Sequence, residues 1–265
     1  MAVGLHRNSL GCLTVLLTTG LLILQQPSIV HAQVRDNREY CSSPAQLVLF
    51  LVDITTPYDH IDKNAIDAVV DEIFIVVRGG QRLIVRTIGE SHTTSEKLID
   101  RCIPHCPAAG LWERLIYCND GEVRTDKEAV RFETTTALRS RLSQFRELQY
   151  SDIIRTLVAV GNEDVKGSQM AKIFVFSDLI ENSDHLSATK LFTSPLEVLV
   201  ASLRKHGLIA GLRDAQIRGA GVGRAGTPGK RPLTVTELQK LKAFWTAYLQ
   251  ASGAESIEID QNLAR

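Results

Sequence analysis

The stretch Gln46-Leu-Val-Leu-Phe-Leu-Val-Asp53-Ile-Thr55-Thr56-Pro57-Tyr-Asp59 decides the fold class. Six apolar residues follow Gln46 without a break, and the run ends abruptly at an aspartate. A short and wholly apolar run of this kind is typical of a strand in a parallel sheet that helices cover on both faces. The carboxyl ends of such strands face the crevice where open α/β sheets bind their ligands. Asp53 and Thr55 therefore stand at a candidate binding edge.

A second apolar run with the same ending lies further along the chain. It reads Ala171-Lys-Ile-Phe-Val-Phe-Ser177-Asp178, so an aspartate again follows a predicted strand. A helix capped by Asp62 and ended by Gly79-Gly80 is predicted after the first strand, because apolar residues there recur with the α-helical period. Arg82–Ile88 supplies the next strand. Strand, helix and strand form a βαβ unit, which requires parallel strands.

The rest of the chain continues to alternate strands and helices. Helices are predicted from Thr134 to Leu148, from Ser151, after a capping box at Ser194–Glu197, and after a second box that begins at Thr234. Strands are predicted at 216–222 and 256–259. Residues 89–133 are predicted to form an irregular, cysteine-rich insertion with a short strand at 115–117 and a turn at 119–121. The pattern predicts one open, doubly wound, Rossmann-like α/β domain with a mostly parallel sheet and helices on both faces.

Composition and charge are those of an ordinary globular protein. Hydrophobic residues make up 44% of the chain and charged residues 23%. The 30 Lys and Arg residues balance the 30 Asp and Glu residues. A chain without excess positive charge has no electrostatic footprint for nucleic acid, so we expect no nucleic-acid partner.

The first 32 residues have the layout of a cleavable secretory signal. Basic residues precede a mostly apolar run from Leu10 to Leu24, and Val30-His31-Ala32 gives a small-x-small pattern. About 15 apolar residues are too few for a comfortable membrane span. We expect cleavage near Ala32, a single domain at 33–265, and a periplasmic or secreted location without a membrane span in the mature chain. An uncleaved anchor helix is the alternative.

Four cysteines remain after the predicted signal, namely Cys41, Cys102, Cys106 and Cys118. An even number of cysteines in an exported chain favours disulfides. The last three lie close together beside His105, which leaves a zinc site as the alternative. Their spacing matches no common zinc module, so we predict two disulfides. One should lie within residues 102–118 and the other should reach Cys41, with the exact pairing left open.

Oxygen-bearing side chains gather at the predicted edge of the sheet. Asp53 and Asp178 each end a central strand, and Thr55 and Ser151 add hydroxyl groups. Hard oxygen ligands of this kind suit Mg²⁺ or Mn²⁺ better than zinc. The alternative is that both aspartates only cap the helices that follow them.

The order of these motifs resembles that of a von Willebrand factor A domain. An apolar strand ends in Asp53-x-Thr55, a hydroxyl opens a mid-chain helix, and Phe-Val-Phe-Ser177-Asp178 follows. The resemblance covers residues 46–260. It implies a metal-ion-dependent adhesion site, in which Asp-x-Ser-x-Ser, a threonine and an aspartate hold Mg²⁺ and a partner's carboxylate completes the coordination.

The match to that site is degenerate. Asp53 and Thr55 match the first two positions, and Asp178 matches the late aspartate, but Pro57 stands where the third hydroxyl belongs. Ser151 is the stand-in for the separate threonine. The alternatives for that position are Thr134, Thr135 and Thr136.

A glycine-rich stretch follows the strand predicted at 216–222. Gly221-x-Gly223-x-x-Gly226 matches a dinucleotide fingerprint by its letters, but no helix follows directly, as that motif requires. We predict a flexible, solvated loop instead. Arg224, Lys230 and Arg231 lend it local positive charge.

The sequence favours a binding function over catalysis. It lacks the Gly-x-Ser-x-Gly and His-Glu-x-x-His signatures of hydrolases. The leading prediction is an exported protein-binding domain that uses a divalent ion at the sheet edge, completed by a carboxylate from its protein partner. The alternatives are a metal-assisted hydrolase in the same crevice and a metal-free structural component of an envelope assembly.

Overall fold

The computed structural model describes residues 40–41, 46–106, 118–144, 148–168, 170–224 and 231–260. The predicted signal at 1–32 and the strand predicted at 115–117 lie outside these ranges. The chain divides into Met1–Gln33 and one compact unit, Val34–Arg265, and all described residues belong to the second unit. Within the described ranges, no helix has both the length and the apolar character needed to cross a membrane.

A six-stranded sheet forms the centre of the fold. Its strands are β1 (Leu47–Asp53), β2 (Arg82–Ile88), β3 (Lys97–Cys102), β4 (Ala171–Phe176), β5 (Gln216–Ala220) and β6 (Ser256–Ile259). They lie in the order β3-β2-β1-β4-β5-β6, and every neighbouring pair is parallel except β2 with β3. This is a doubly wound order whose direction reverses between β1 and β4. The predicted fold class, an open and mostly parallel α/β sheet, is confirmed.

Six α-helices surround the sheet in the part of the chain that is described. They are α1 (His60–Val76), α2 (Asp120–Ser143), α3 (Ile153–Val160), α4 (Ala188–Thr193), α5 (Leu196–Lys205) and α6 (Val235–Ala251). A 3-10 turn spans His92–Thr94, and a π-helical turn at Gly161–Val165 extends α3.

The helices lie on both faces of the sheet, because side chains of a strand alternate between its two faces. One face of β1 packs into a core formed with α3, α4, α5 and α6 through Leu47, Leu49 and Leu51. The other face packs against α1 and α2 through Val48, Phe50 and Val52. All seven residues of β1 are buried, which accounts for its unbroken apolar sequence.

Residues 89–133 are more regular than the sequence predicts. They contain the antiparallel edge strand β3, and the predicted turn at 119–121 is instead the start of α2. The Asn119 side chain caps that helix by accepting hydrogen bonds from the amides of Gly121 and Glu122. The helix predicted from Thr134 to Leu148 therefore begins 14 residues earlier, at Asp120, and ends at Ser143.

Two predicted helix starts are also wrong in detail. Asp59 caps α1, and Asp62 completes its capping box from the third helical position. At α5, Pro195 occupies the cap position and no side chain caps the helix, so the predicted box at Ser194–Glu197 does not form. The box at Thr234 and Glu237 forms as predicted.

Two disulfides bind the N-terminal segment and the insertion to the fold. Cys41 pairs with Cys102 at the end of β3, and Cys106 pairs with Cys118 just before α2. Their Cα atoms are 5.2 and 5.6 Å apart, within the usual range for a disulfide. One bridge lies within 102–118 and the other reaches Cys41, as predicted, so these sulfurs are not thiolate ligands for zinc.

Candidate functional site

The candidate site lies where β1 and β4 end side by side. Val52 pairs with Phe176 at the last position of their ladder, and Asp53 and Ser177-Asp178 follow. The strand order, not the chain direction, reverses between these two parallel strands, and open α/β sheets bind ligands outside the carboxyl ends of strands at such a point. Asp53 is completely buried and Asp178 is 6% exposed.

The Asp53 carboxylate is held by four hydrogen bonds. Its Oδ1 accepts from the amide of Thr55 at 2.9 Å and from the Thr55 hydroxyl at 2.6 Å. Its Oδ2 accepts from the hydroxyls of Ser177 at 2.6 Å and Ser151 at 3.3 Å. Asp53 therefore ties together the loops that follow β1, precede α3 and follow β4. Three of the four predicted ligands, Asp53, Thr55 and Ser151, meet here.

Asp178 belongs to a second loop, which runs beside the first. One of its carboxylate oxygens accepts from the amide of Ile180 at 2.9 Å, while its carbonyl accepts from the amide of Gly223. Leu179 adopts a left-handed backbone with φ of 59°, and its carbonyl accepts from the indole of Trp245 at 2.7 Å. The fourth predicted ligand thus sits on a loop that is anchored to the β5 end and to α6.

The two loops that carry Ser151 and Asp178 are bonded to each other. The amide of Ser151 donates to the carbonyl of Asn182 at 2.9 Å, and the reverse bond measures 3.0 Å. The Glu181 carboxylate accepts from the amides of Ile153 and Ile154 at the start of α3. Glu181 therefore holds the β4 loop against the N-terminus of α3.

Glu181 is completely buried, and burial raises its pKa from 4.5 to about 8. The Ser183 hydroxyl and the two helix amides oppose this rise, while the buried Asp152 adds to it. Asp152 caps α3 through the amide of Arg155 and also accepts from the Arg155 guanidinium at 2.7 Å. The side chains of Glu181 and Asp152 thus both accept hydrogen bonds from amides in the first turn of α3.

Arg224 reaches into the site from the loop after β5. Its Nη1 donates to the carbonyl of Pro57 at 3.1 Å and to Asp62 at 2.8 Å, and its Nη2 donates to the Thr56 hydroxyl. The guanidinium carbon lies 4.1 Å from the centroid of the Tyr58 ring, a cation–π distance. The side chain is 10% exposed, so the prediction of a solvated loop is wrong for this arginine.

Burial by itself lowers the pKa of Arg224, but the charges around it raise that pKa above its ordinary value. The charged groups responsible are the carboxylates of Asp62, Asp178 and Asp53. Burial also raises the pKa of Tyr58 far above its ordinary value, and its hydroxyl donates to the Asp53 carbonyl. Tyr58 is therefore a neutral phenol that supports the arginine.

A cleft of about 320 Å³ opens between these loops. Its lining includes polar groups, namely Thr55, Thr56, Ser151, Asp178, Asn182, Arg224 and Arg231. It also includes mostly apolar groups, namely Leu148, Tyr150, Ile180, Ala188, Phe192, Pro232 and Leu233. A concave, partly apolar surface with a few converging polar groups is the usual form of a binding site.

The predicted Mg²⁺ or Mn²⁺ site can be tested against this donor set. A carboxylate offers about four lone-pair positions, and Asp53 uses four hydrogen bonds, so it has no position left for a metal. Pro57 offers only its carbonyl oxygen, which accepts from Arg224. Among the described residues, no group of three or more His, Cys, Asp and Glu side chains is arranged for a metal. These residues do not fit a resident divalent ion.

The alternatives for the missing threonine, Thr134, Thr135 and Thr136, do not line the cleft. The hydroxyls of Thr134 and Thr135 donate to carbonyls one turn earlier in α2. Gly221 and Gly223 adopt left-handed backbone angles in a turn, and the first helix after them among the described residues starts at Val235. Lys230 and Gly226 lie outside the described residues.

Sequence reasoning missed three contributors to the site: Ser177, Tyr58 and Arg224. Ser177 was visible in the sequence as the residue between the end of β4 and Asp178, one position after Phe176, which pairs with Val52. Arg224 gave no local signal, because it lies 162 residues from its partner Asp62.

No protein-family model matches the chain, and no curated protein matches it. Among solved structures, a von Willebrand factor type A protein from Catenulispora acidiphila is similar, with 12% identity and a TM-score of 0.37 over 79% of this chain and 43% of the other. The human COPII-coat protein Sec24c is similar with 13% identity and a TM-score of 0.34, over 84% of this chain and 31% of the other. The chain thus spans less than half the length of either structure.

Proposed function

We propose that this chain is an exported protein-binding domain that holds its partner in the cleft at the carboxyl edge of the sheet. The observation that carries the proposal is the cleft itself, which lies at the strand-order reversal and is lined by both apolar and polar side chains. Tyr150 stands at this cleft and is 47% exposed. Exposed aromatic side chains beside a cleft are typical anchors of protein interfaces.

The hydroxyl groups around Asp53 support a binding function more than a catalytic one. The hydroxyls of Thr55, Ser151 and Ser177 all donate to one buried carboxylate. No histidine, lysine or cysteine of the described residues lines the cleft, so it offers no such base to activate a nucleophile there. A metal-assisted hydrolase remains the rival, and it predicts hydrolytic turnover that Asp53→Asn abolishes.

Two disulfides support the exported location, because such bonds persist outside the reducing cytosol. Cleavage near Ala32 and a periplasmic or secreted destination are parts of the same proposal. N-terminal sequencing of the protein recovered from the producing cell tests the cleavage directly.

Site-directed photo-cross-linking tests the binding function. A photoreactive phenylalanine analogue replaces Tyr150 in one protein and Phe132 in a control, since Phe132 is an exposed aromatic on α2 that does not line the cleft. We expect position 150 to capture a discrete protein in the envelope fraction and position 132 to capture none. Equal capture from both positions, or none from position 150, contradicts the proposal.

The Mg²⁺ or Mn²⁺ ion stays a prediction of the sequence and is not part of this proposal, because the donor set does not fit it. The structural-component alternative predicts envelope association that survives both chelator and loss of Asp53 and Asp178. Cross-linking from position 150 separates the protein-binding cleft from the structural-component alternative. A structural component that contacts its neighbours through another surface would not cross-link to them from position 150.

A further inference from the structure

The cleft has a cation of its own. Arg224 contacts the loop after β1 through the Pro57 carbonyl and the Thr56 hydroxyl, and the first turn of α1 through the Asp62 carboxylate. This loop is the one in which the sequence pattern expects metal ligands. The arginine meets it at Pro57, the position that lacks the expected hydroxyl.

Arg224 is also fixed in place. Its guanidinium lies 4.1 Å from the Tyr58 ring centroid and 5.8 Å from that of Phe176, and both rings are buried. The carbonyl of Gly221 accepts from the amide of Arg224, which closes a tight turn after β5. An arginine held by aromatic rings, a carboxylate and a carbonyl keeps its charge at one position.

The electrostatics of the site follow from this placement. The aspartates at 53, 62 and 178 are close enough to favour the charged form of Arg224. A dication entering the same space would meet the guanidinium at short range, where like charges repel strongly in a buried setting. Asp53 already accepts four hydrogen bonds, so a metal in the predicted site would depend on Asp178 and on the Thr55 and Ser151 hydroxyls.

We infer that Arg224 supplies the positive charge at this edge of the sheet in place of a divalent ion, so that the cleft assembles without metal. This inference deepens the proposed function by setting the chemistry of the same cleft. Arg224 acts as a positioning residue: it joins the β5 loop to the β1 loop and balances the aspartates. The cleft then binds its partner equally well in Mg²⁺ and in chelator.

Titration of the purified full chain with Mn²⁺, followed by electron paramagnetic resonance of the free ion, tests the inference. We expect no saturable binding by the unaltered protein in the low-millimolar range. The double variant Pro57→Ser/Arg224→Gln restores a hydroxyl and removes the guanidinium. It should bind Mn²⁺ saturably, with a Kd at least about tenfold below the low-millimolar range. Asp178→Asn added to the double variant should abolish this Mn²⁺ binding. If Arg224 had only a structural role, the double variant would gain no Mn²⁺ affinity for Asp178→Asn to remove.

Arg231→Gln is the matched control, because Arg231 also lines the cleft but its charge is held by Glu237 at 2.7 and 2.9 Å. It should leave Mn²⁺ binding unchanged. Saturable binding by the unaltered protein overturns the inference, and so does a folded double variant that gains no affinity.

Thermal unfolding of the unaltered protein decides the matter if the double variant does not fold. Equal melting temperatures in Mg²⁺ and in chelator support the inference, whereas a higher temperature in Mg²⁺ overturns it, since a ligand of the folded state stabilises that state. Neither measurement needs a partner. A failure of the cross-linking experiment therefore leaves this inference standing, and metal binding leaves the binding function standing.

Discussion

The loops after β1 and β4 follow the same sequence pattern, an apolar strand that ends in aspartate, and the two aspartates have different surroundings. Asp53 accepts four hydrogen bonds and is completely buried. The Asp178 carboxylate accepts from the Ile180 amide, lies near Arg224 and lines the cleft. The comparison shows that two strand-end carboxylates can have different surroundings: Asp53 joins the loops from within, and Asp178 lines the cleft.

The largest difference between the two loops should appear in stability. Asp53→Asn places an amide donor among three hydroxyl donors and should lower the free energy of unfolding by about 4 kcal/mol. Asp178→Asn keeps an oxygen for the Ile180 amide and should cost less than Asp53→Asn. Urea unfolding with intact disulfides measures both. Similar losses for the two variants would remove the distinction.

The β4 loop should also make the stability of the protein depend on pH through Glu181. The pKa of Glu181 is about 8 in the folded protein and 4.5 in its ordinary state. A raised pKa contributes stability that is complete below the lower value and is lost as pH rises through the higher one. The free energy of unfolding should therefore fall by on the order of 3 kcal/mol between about pH 5 and 8.

Glu181→Gln is the test of this assignment, because glutamine is always neutral. The variant should flatten the decline of stability with pH, and urea unfolding at several pH values measures it. An unchanged slope in the variant would show that another group causes the decline. Asp152→Asn is a useful comparison, since that carboxylate caps the same helix through the Arg155 amide.

The hydroxyls around Asp53 should differ in how much each contributes to the free energy of unfolding, and these contributions are smaller. Ser177 and Thr55 donate to it at 2.6 Å, and Ser151 donates at 3.3 Å. Ser177→Ala and Thr55→Val should each cost about 1–2 kcal/mol, and Ser151→Ala less than about 0.5 kcal/mol, because long hydrogen bonds are weak. Chemical unfolding of the three variants gives the order. A larger loss for Ser151→Ala than for Thr55→Val would mean that Ser151 is bound more closely than its distance indicates.

Much of the fold was predictable because its central strands are buried on both faces. β1, β2 and β4 are apolar runs with clear ends, and their predicted bounds agree closely with the structure. Strand β3 was missed because it is an edge strand, in which only Ile99 and Cys102 are buried. The start of α2 was missed because asparagine before Asp-Gly is as typical of a turn as of a helix cap.

The composition of the site was predictable only in part. Asp53, Thr55, Ser151 and Asp178 lie at one edge because parallel strands deliver their carboxyl ends to the same side of a sheet. How many donors surround each carboxylate depends on packing between loops that are distant in sequence. Arg224 illustrates why the sequence predicts such contacts poorly, since its partners Thr56 and Asp62 lie 168 and 162 residues away in the chain.

Cross-linking from position 150 in chelator and in Mg²⁺ is the most direct test of a protein-binding cleft that carries its own cation. We predict the same partner band, at the same intensity, in both conditions, and a weaker band when Arg224→Gln removes the guanidinium. A band that disappears in chelator and returns with Mg²⁺ would contradict this account, because it would show that a divalent ion, and not Arg224, completes the site.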